Sequence, residues 1–159
     1  MSTDNQMSFE CVQCGKSFHH KLFDIARAFE RIDYSTEIPS IDVKGSECLA
    51  EYCSAACREL GRDAAMRHQG VQLRSVGIGP VENCALCLKP VDMSAFHLTY
   101  TENDMTVMSF YSLQPTNARY LAVLCRSCAP ERTAYCEKLN DQIDSEVVSE
   151  HQVTGTSKE

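Results

Sequence analysis

The stretch CVQCGK at positions 11–16 contains two cysteines, Cys11 and Cys14, separated by two residues. This spacing lets two sulfur atoms bind one tetrahedral metal ion at about 2.3 Å, as in structural zinc sites. Gly15 can adopt the positive φ that turns backbone amides toward the sulfurs. We therefore predict a metal-binding loop, called a knuckle below, at 11–16.

Three further cysteine pairs follow along the chain. Two such pairs complete one closed four-thiolate site, so four pairs predict two Zn²⁺ ions. Disulfide bonds are the alternative explanation of the pairs. The predicted ligands are Cys11, Cys14, Cys53 and Cys57 for the first site, and Cys84, Cys87, Cys125 and Cys128 for the second.

The two ligand sets recur at a nearly constant interval along the chain. Such an interval indicates a tandem duplication, although the residues between the pairs show little similarity and a chance recurrence is the alternative. The intervals are 73, 73, 72 and 71 residues, for Cys11 to Cys84, Cys14 to Cys87, Cys53 to Cys125 and Cys57 to Cys128.

The stretch ECLAEYCSAACREL at 47–60 is typical of a short strand followed by a helix. Ser54 is suited to cap the helix, and Cys57 falls in the first turn, where the helix dipole favours a thiolate. Upstream, the apolar residues at 22, 25, 26, 29 and 32 have helical spacing. They predict an inserted helix, followed by a turn at 38–40.

The second half is rich in β-forming residues between 96 and 125, with turn-type sequences at 102–104 and 114–117. This pattern predicts a β-meander after the second knuckle. A helix that packs back on this sheet is predicted after Pro130, because four apolar residues recur there at intervals of four. They are Tyr135, Leu139, Ile143 and Val147.

The first half also resembles a known group of zinc fingers. Cys11-x-x-Cys14 followed by Tyr52-Cys53-Ser54-x-x-Cys57-Arg58 is similar to the FCS, MYND and HIT types, over about 20 of the 159 residues. In those fingers the two cysteine pairs hold the metal and the remaining surface binds a protein or serves transcription. The resemblance implies a treble-clef arrangement of knuckle, hairpin and helix around the first four ligands.

We therefore predict an α+β fold of two small tandem treble-clef-like modules stabilised by zinc. Each module is expected to contain a knuckle, a short β-hairpin or meander, and a helix. The predicted organisation is a flexible N-terminus at 1–10, a first module with the inserted helix at 11–70, a linker at 71–83, a second module at 84–148 and a disordered tail at 149–159.

The second half is weakly similar to zinc-bearing HNH nucleases. The similarity lies in LCRSC at 124–128 with Asn117 upstream, and it implies His97 as the residue that activates water. His97 stands alone where such enzymes have a pair of His, or Asp and His. We therefore expect any such nuclease to be degenerate.

A few other residues offer alternative ligands. Cys48 lies five residues before Cys53, and both Cys48 and Cys136 are expected to be small buried hydrophobes rather than ligands. The histidines that can supply a nitrogen ligand to the first site are His19, His20 and His68.

The charge balance is acidic, with 22 Asp and Glu against 15 Lys and Arg and a formal net charge of −7. Each four-thiolate zinc site adds about two further negative charges, which disfavours binding to a polyanion. The alternative is a local basic patch that contacts nucleic acid. Its candidate residues are Lys16, Lys21, Arg58, Arg62 and Arg67.

No nucleophile–base–acid set, phosphate-binding glycine loop or HExxH helix is found in the sequence. It also has no apolar run of about 20 residues and no signal-peptide pattern. We therefore expect an intracellular, non-enzymatic zinc adaptor or regulator that binds a protein partner, with no membrane contact and a role in transcription regulation. The alternatives are a nucleic-acid-binding zinc finger and a degenerate HNH-like nuclease.

Overall fold

Two long antiparallel hairpins form the framework of the chain. A computed structural model describes residues 7–109 and 112–129. Every helix and strand of the described residues lies in one compact unit, Met1–Cys128.

Each long hairpin is preceded by a knuckle that lies between two short strands. The first half contains β1 (Phe9–Glu10), β2 (Ser17–Phe18), β3 (Lys21–Asp33), β4 (Ser40–Tyr52) and the helix α1 (Ala55–His68). The second half contains β5 (Val81–Asn83), β6 (Pro90–Asp92), β7 (His97–Ser109) and β8 (Ser112–Leu124). Within the described residues the fold is therefore mixed, with mostly strands and one helix.

The two hairpins form one antiparallel sheet with the strand order β4-β3-β7-β8. β3 pairs with β7 without a register shift, from Lys21 opposite Thr106 to Glu30 opposite His97. The prediction of two independent modules, at 11–70 and 84–148, is therefore wrong for the described residues, because strands of both halves form one sheet. The two halves share a sheet because β3 finds its second hydrogen-bonded neighbour in the other half.

The helix predicted from the apolar residues between 22 and 32 is wrong, because this segment is the central strand β3. β3 has buried residues on both of its faces, for example Asp24 and Ile25, so its sequence lacks the simple alternation of a half-buried strand. Three charged side chains of β3 are also buried, and each is paired with a distant residue. Asp24 accepts from Asn103 at 2.9 Å, Arg27 binds Glu47 at 2.7 Å, and Glu30 accepts from Thr99 at 2.7 Å.

The predicted meander is corrected to a single hairpin of two 13-residue strands, β7 and β8. The turn-type residues at 102–104 and 114–117 lie inside these strands. Register shifts between the two strands accommodate them, including one where Met105 pairs with Pro115. Next to that shift the Thr116 hydroxyl donates to the Asp104 carbonyl at 3.1 Å.

The predicted linker at 71–83 is in contact with the sheet. Val71 is only 4% exposed, and the Arg74 amide donates to the Leu121 carbonyl at 2.9 Å. Further along, the Tyr34 hydroxyl donates to the carbonyl of Gly79 at 2.8 Å. The segment between the two halves therefore packs against the sheet, and its last three residues form β5.

The helix after the first cysteine cluster is confirmed at Ala55–His68. The Ser54 hydroxyl accepts from the Cys57 amide at 3.1 Å, which is the predicted N-cap. Gly61 lets the helix approach the end of β4, because a Cβ atom there would lie 2.7 Å from the Tyr52 ring. Of the turn predicted at 38–40, Ile38 and Pro39 lie in the loop between β3 and β4, and Ser40 is the first residue of β4.

Some predictions concern residues outside the described ranges. These are the helix after Pro130, the tail at 149–159, Cys136, and residues 1–6 of the N-terminus. The rest of the predicted flexible N-terminus is described, and part of it forms β1. There Phe9 stacks on Phe18 with ring centroids 5.5 Å apart.

We predict that Ile25→Ala destabilises both halves by about 2–5 kcal/mol, because it truncates a fully buried side chain in β3, the strand that pairs with both β4 and β7. Hydrogen exchange should show faster exchange in β3, β4, β7 and β8 together. Ile38→Ala is the matched control, since Ile38 is 82% exposed and its truncation should change stability by less than about 0.5 kcal/mol. Faster exchange restricted to β3 and β4 would contradict a shared core.

Candidate metal centres

The structure brings the eight predicted ligands together as two groups of four, each positioned to hold a metal ion. Within each group the four sulfur atoms all lie within 4.8 Å of one another. The groups are Cys11, Cys14, Cys53 and Cys57, called cluster 1, and Cys84, Cys87, Cys125 and Cys128, called cluster 2.

The spacing of the sulfur atoms matches a tetrahedral ion. Ligands about 2.3 Å from a tetrahedral Zn²⁺ are separated by about 3.8 Å. In cluster 1 the Cys14 and Cys53 sulfurs are 3.7 Å apart, and those of Cys53 and Cys57 are 3.8 Å apart. In cluster 2 the Cys87 and Cys125 sulfurs are 3.7 Å apart. All nine described cysteines are free, so none of them forms the alternative disulfide.

The two knuckles have the same backbone hydrogen bonds. In the first knuckle the Cys11 amide donates to the Lys16 carbonyl at 2.8 Å, and the Gly15 amide donates to the Cys11 carbonyl at 2.8 Å. The second knuckle repeats both bonds, from Cys84 to Lys89 at 2.9 Å and from Leu88 to Cys84 at 3.0 Å. The predicted repeat is therefore present in the local structure of the knuckles.

One position of the knuckle requires a positive φ in both copies. Gly15 has φ 75° and Leu88 has φ 62°. Glycine adopts this conformation without strain, whereas leucine rarely does. The second knuckle therefore keeps the conformation of the first despite a less favourable residue, because the same ligand geometry is needed.

A further pair of equivalent bonds attaches each knuckle to a long hairpin. The Val12 amide donates to the Glu51 carbonyl at 2.9 Å, and the Ala85 amide donates to the Val123 carbonyl at 2.8 Å. Each acceptor lies two residues before the first cysteine of the second pair, Cys53 or Cys125. These bonds place the knuckle sulfurs beside the sulfurs that follow the hairpin.

Backbone amides favour a thiolate at one buried position in each cluster. Burial raises the pKa of Cys11, but amide donors, from Cys53 first, outweigh it and lower the pKa to about 6. At Cys84 burial likewise opposes the shift, and donors from Cys87 and Cys125 lower the pKa to about 6. The Cys125 amide lies 3.4 Å from the Cys84 sulfur. The amide donors therefore favour the thiolate form at Cys11 and Cys84, which is the form that binds a metal ion.

A second position in each cluster resists ionisation. Burial and the neighbouring Cys14 sulfur raise the pKa of Cys53 to about 12. The Cys125 sulfur, followed by burial, raises the pKa of Cys128 to about 12. Four thiolates at this spacing repel one another, so full ionisation requires a cation among them. This is the electrostatic behaviour of a metal site whose loading releases protons.

The alternative ligands lie outside both clusters. Cys48 is exposed on β4, and its sulfur lies 3.7 Å from the Ala50 carbonyl rather than near another described sulfur. The expectation that Cys48 is buried is therefore wrong. His19, His20 and His68 are exposed and belong to neither group of potential ligands.

The proposed basic patch is divided by the fold. Arg58 is only 7% exposed, and it binds Asp104 at 2.7 Å and the Asn103 carbonyl at 2.7 Å. Arg62 binds Glu102 at 2.7 Å. The remaining members of the patch, Lys16, Lys21 and Arg67, are exposed.

Glu102 is the most important polar residue that the sequence did not identify. It is 6% exposed and accepts salt bridges from Arg58, Arg62 and Arg119. These residues come from α1, β7 and β8, so no local pattern connects them. Glu102 was predicted to lie in a turn, where it would be exposed to water.

The residues suggested by the nuclease resemblance are not brought together. His97 is 1% exposed, and its Nδ1 lies 2.7 Å from the Ala95 carbonyl. Burial lowers the pKa of this imidazole. His97 pairs with Glu30 at one end of β7, whereas the exposed Asn117 pairs with Asp104 seven residues further along that strand.

Comparison with protein-family models finds no matching family, and comparison with curated proteins and with solved structures finds no match. The similarity to FCS, MYND and HIT fingers therefore rests on the quoted residues. Among the described residues, no helix is long and apolar enough to cross a membrane.

We predict that Cys53→Ser lowers the metal content from two ions to one per chain after dialysis against a weak chelator. The substitution leaves three thiols in cluster 1, while cluster 2 keeps all four. Elemental analysis measures the ratio of metal to protein. Cys48→Ser is the matched control and should retain two ions, since Cys48 lies outside both clusters. A control that loses an ion would contradict the assigned ligand sets.

Proposed function

We propose that this chain is a non-enzymatic zinc protein that acts as an adaptor or regulator by binding a protein partner. The observation that carries the proposal is the closed character of both clusters. Each contains four cysteine sulfurs at tetrahedral spacing, so a bound Zn²⁺ has no position left for water or substrate. A site of this type stabilises a fold and leaves function to the surrounding surface.

The character of the ligands supports zinc in particular. Four thiolates in a tetrahedron suit Zn²⁺ or iron, and Mg²⁺ and Ca²⁺ prefer oxygen ligands. Cluster 1 has a knuckle on one side and the first turn of α1 on the other, which supports a treble-clef-like site. The free cysteines are consistent with a reducing intracellular compartment. Similarity to FCS, MYND and HIT fingers favours a regulatory role that includes transcription.

The surface favours a protein partner over nucleic acid. Large apolar side chains are exposed beside cluster 1, with Val12 67% and Leu60 73% exposed. Two of the five candidate cations, Arg58 and Arg62, bind carboxylates of β7 and are not available for phosphate contacts. The net charge of −7 also opposes binding to a polyanion.

We predict that exhaustive removal of zinc unfolds both ends of the sheet. Metal binding at such sites contributes on the order of 10 kcal/mol, which is comparable to the whole stability of a small domain. Circular dichroism and limited proteolysis before and after chelation measure the loss, and re-addition of Zn²⁺ should restore the fold. A chelated protein with an unchanged spectrum and unchanged protease resistance would contradict a structural role for the metal.

We further predict that the zinc-loaded full chain co-purifies with a protein from its native source and does not bind nucleic acid. Chemical crosslinking before purification captures the partner. Fluorescence titration of labelled duplex DNA and single-stranded RNA should show no binding at 50 mM salt.

A titration that instead shows binding, with an affinity that falls steeply between 50 and 200 mM salt, would support the nucleic-acid alternative. Lys16→Gln and Lys21→Gln, at two exposed cations, would then weaken the binding. That result would contradict the proposed adaptor function.

A further inference from the structure

One face of the sheet carries a groove that the metal clusters do not use. It has a volume of about 650 Å³ and is lined by residues of all four long strands. Side chains alternate between the two faces of a strand, so Asp24, Ala26 and Ala28 lie opposite Arg27, whose guanidinium contacts Gln69 just after α1. The groove is therefore on the face of β3 that α1 does not cover.

The walls of the groove are apolar. Its apolar lining includes Ala26, Ala28, Val43, Met105, Leu113 and Ala118. The rim of the groove is apolar as well, because its lining residues Ile41 and Val43, on the edge strand β4, are 50% and 49% exposed. Exposed apolar surface that extends from a cavity onto its rim fits an occupant larger than the cavity itself.

Two buried carboxylates lie in the floor of this apolar groove. Asp24 is 3% exposed and Glu30 is 4% exposed. The side-chain donors to Asp24 are neutral, with the Asn103 amide at 2.9 Å, and Glu30 accepts from the Thr99 hydroxyl at 2.7 Å. No salt bridge found among residues 7–109 and 112–129 involves either carboxylate.

One neighbouring ionisable group, the Tyr120 hydroxyl, lies beside the Glu30 carboxylate. Burial and the Glu30 carboxylate raise the pKa of the Tyr120 hydroxyl. Burial also raises the pKa of Asp24 itself. Arg119 also lines the groove, but its guanidinium binds Glu102 at 3.0 Å. A further cation in the groove would compensate the charge of Asp24 and Glu30, because a buried charge without a counter-ion is unfavourable.

We propose that this groove binds a protein segment that presents apolar side chains and one lysine or arginine, whose cation lies against Asp24. The inference rests on the proposed adaptor function and names the site and the chemistry of the partner. The apolar walls accept the aliphatic side chains, and the carboxylate selects the basic residue. Acidic segments and nucleic acid are excluded by the same negative potential.

The test is a titration of the zinc-loaded full chain, labelled with ¹⁵N, with two short peptides followed by nuclear magnetic resonance. The first probe is acetyl-Val-Leu-Lys-Leu-Val-amide, and the second replaces its lysine by norleucine, which keeps the four-carbon side chain and lacks the charged amine. The lysine probe should shift the amide signals of Ala26, Ala28 and Ala118 and bind about tenfold more tightly than the norleucine probe.

Asp24→Asn should abolish the preference for the lysine probe. It should not lower the thermal midpoint at pH 7, because a carboxyl group whose pKa is raised by folding destabilises the native state above that pKa. Glu37→Gln is the matched control, since it removes one negative charge from the exposed loop between β3 and β4 and should keep the preference. Ala28→Phe fills the groove and should abolish binding of both probes.

Equal affinity for the two probes, or signal shifts confined to residues outside the groove, would overturn the proposal. Sedimentation that shows a dimer in the wild-type chain and a monomer in Ala28→Phe would assign the groove to a second copy and also overturn it.

If the captured partner binds wild type, Asp24→Asn and Ala28→Phe equally, the adaptor function stands and the groove assignment fails. If no partner is captured although the lysine probe binds as expected, the adaptor function fails and the groove assignment stands.

Discussion

Four thiols that approach one another to within 4.8 Å at each cluster impose the strongest constraint on this chain. Thiolates at such distances repel, and burial adds a further cost, so the arrangement is favourable only around a cation. The positive-φ residue of each knuckle and the amide donors to Cys11 and Cys84 all serve this geometry. The long hairpins then follow from it, since each begins after a knuckle and ends at the second cysteine pair.

The pairing of β3 with β7 turns two repeats into one structure. Because these strands are antiparallel, the ends of the hairpins that carry the clusters lie at opposite ends of the central strand pair. The middle of the sheet is held instead by Glu102 and its arginine partners, which connect α1 with β7 and β8. A buried carboxylate with several arginines is sensitive to the loss of any partner, so this network favours one register over its alternatives.

The two faces of the sheet have different chemistry. On the face near α1, buried charges are neutralised in pairs, as Arg27 is by Glu47 and Glu102 is by its arginines. On the groove face, Asp24 and Glu30 have neutral hydrogen-bond donors and no salt bridge in the described part of the chain. The charges on the face near α1 are therefore compensated within the chain, whereas the carboxylates on the groove face are suited to a positively charged partner.

The sequence by itself determined the local features of this protein. Cysteine spacing identified both clusters and their eight members, and Ser54 identified the start of α1, because ligand geometry and helix capping depend on residues a few positions apart. Only the tertiary structure decided that 21–33 is a strand, that 102–104 and 114–117 lie within strands, and that Arg58 is buried. The partners that explain these outcomes are far away in sequence, as Asn103 is from Asp24. The apolar residues of β3 have helical spacing in the sequence. Only the strands that pair with β3 on both sides show that the segment is extended.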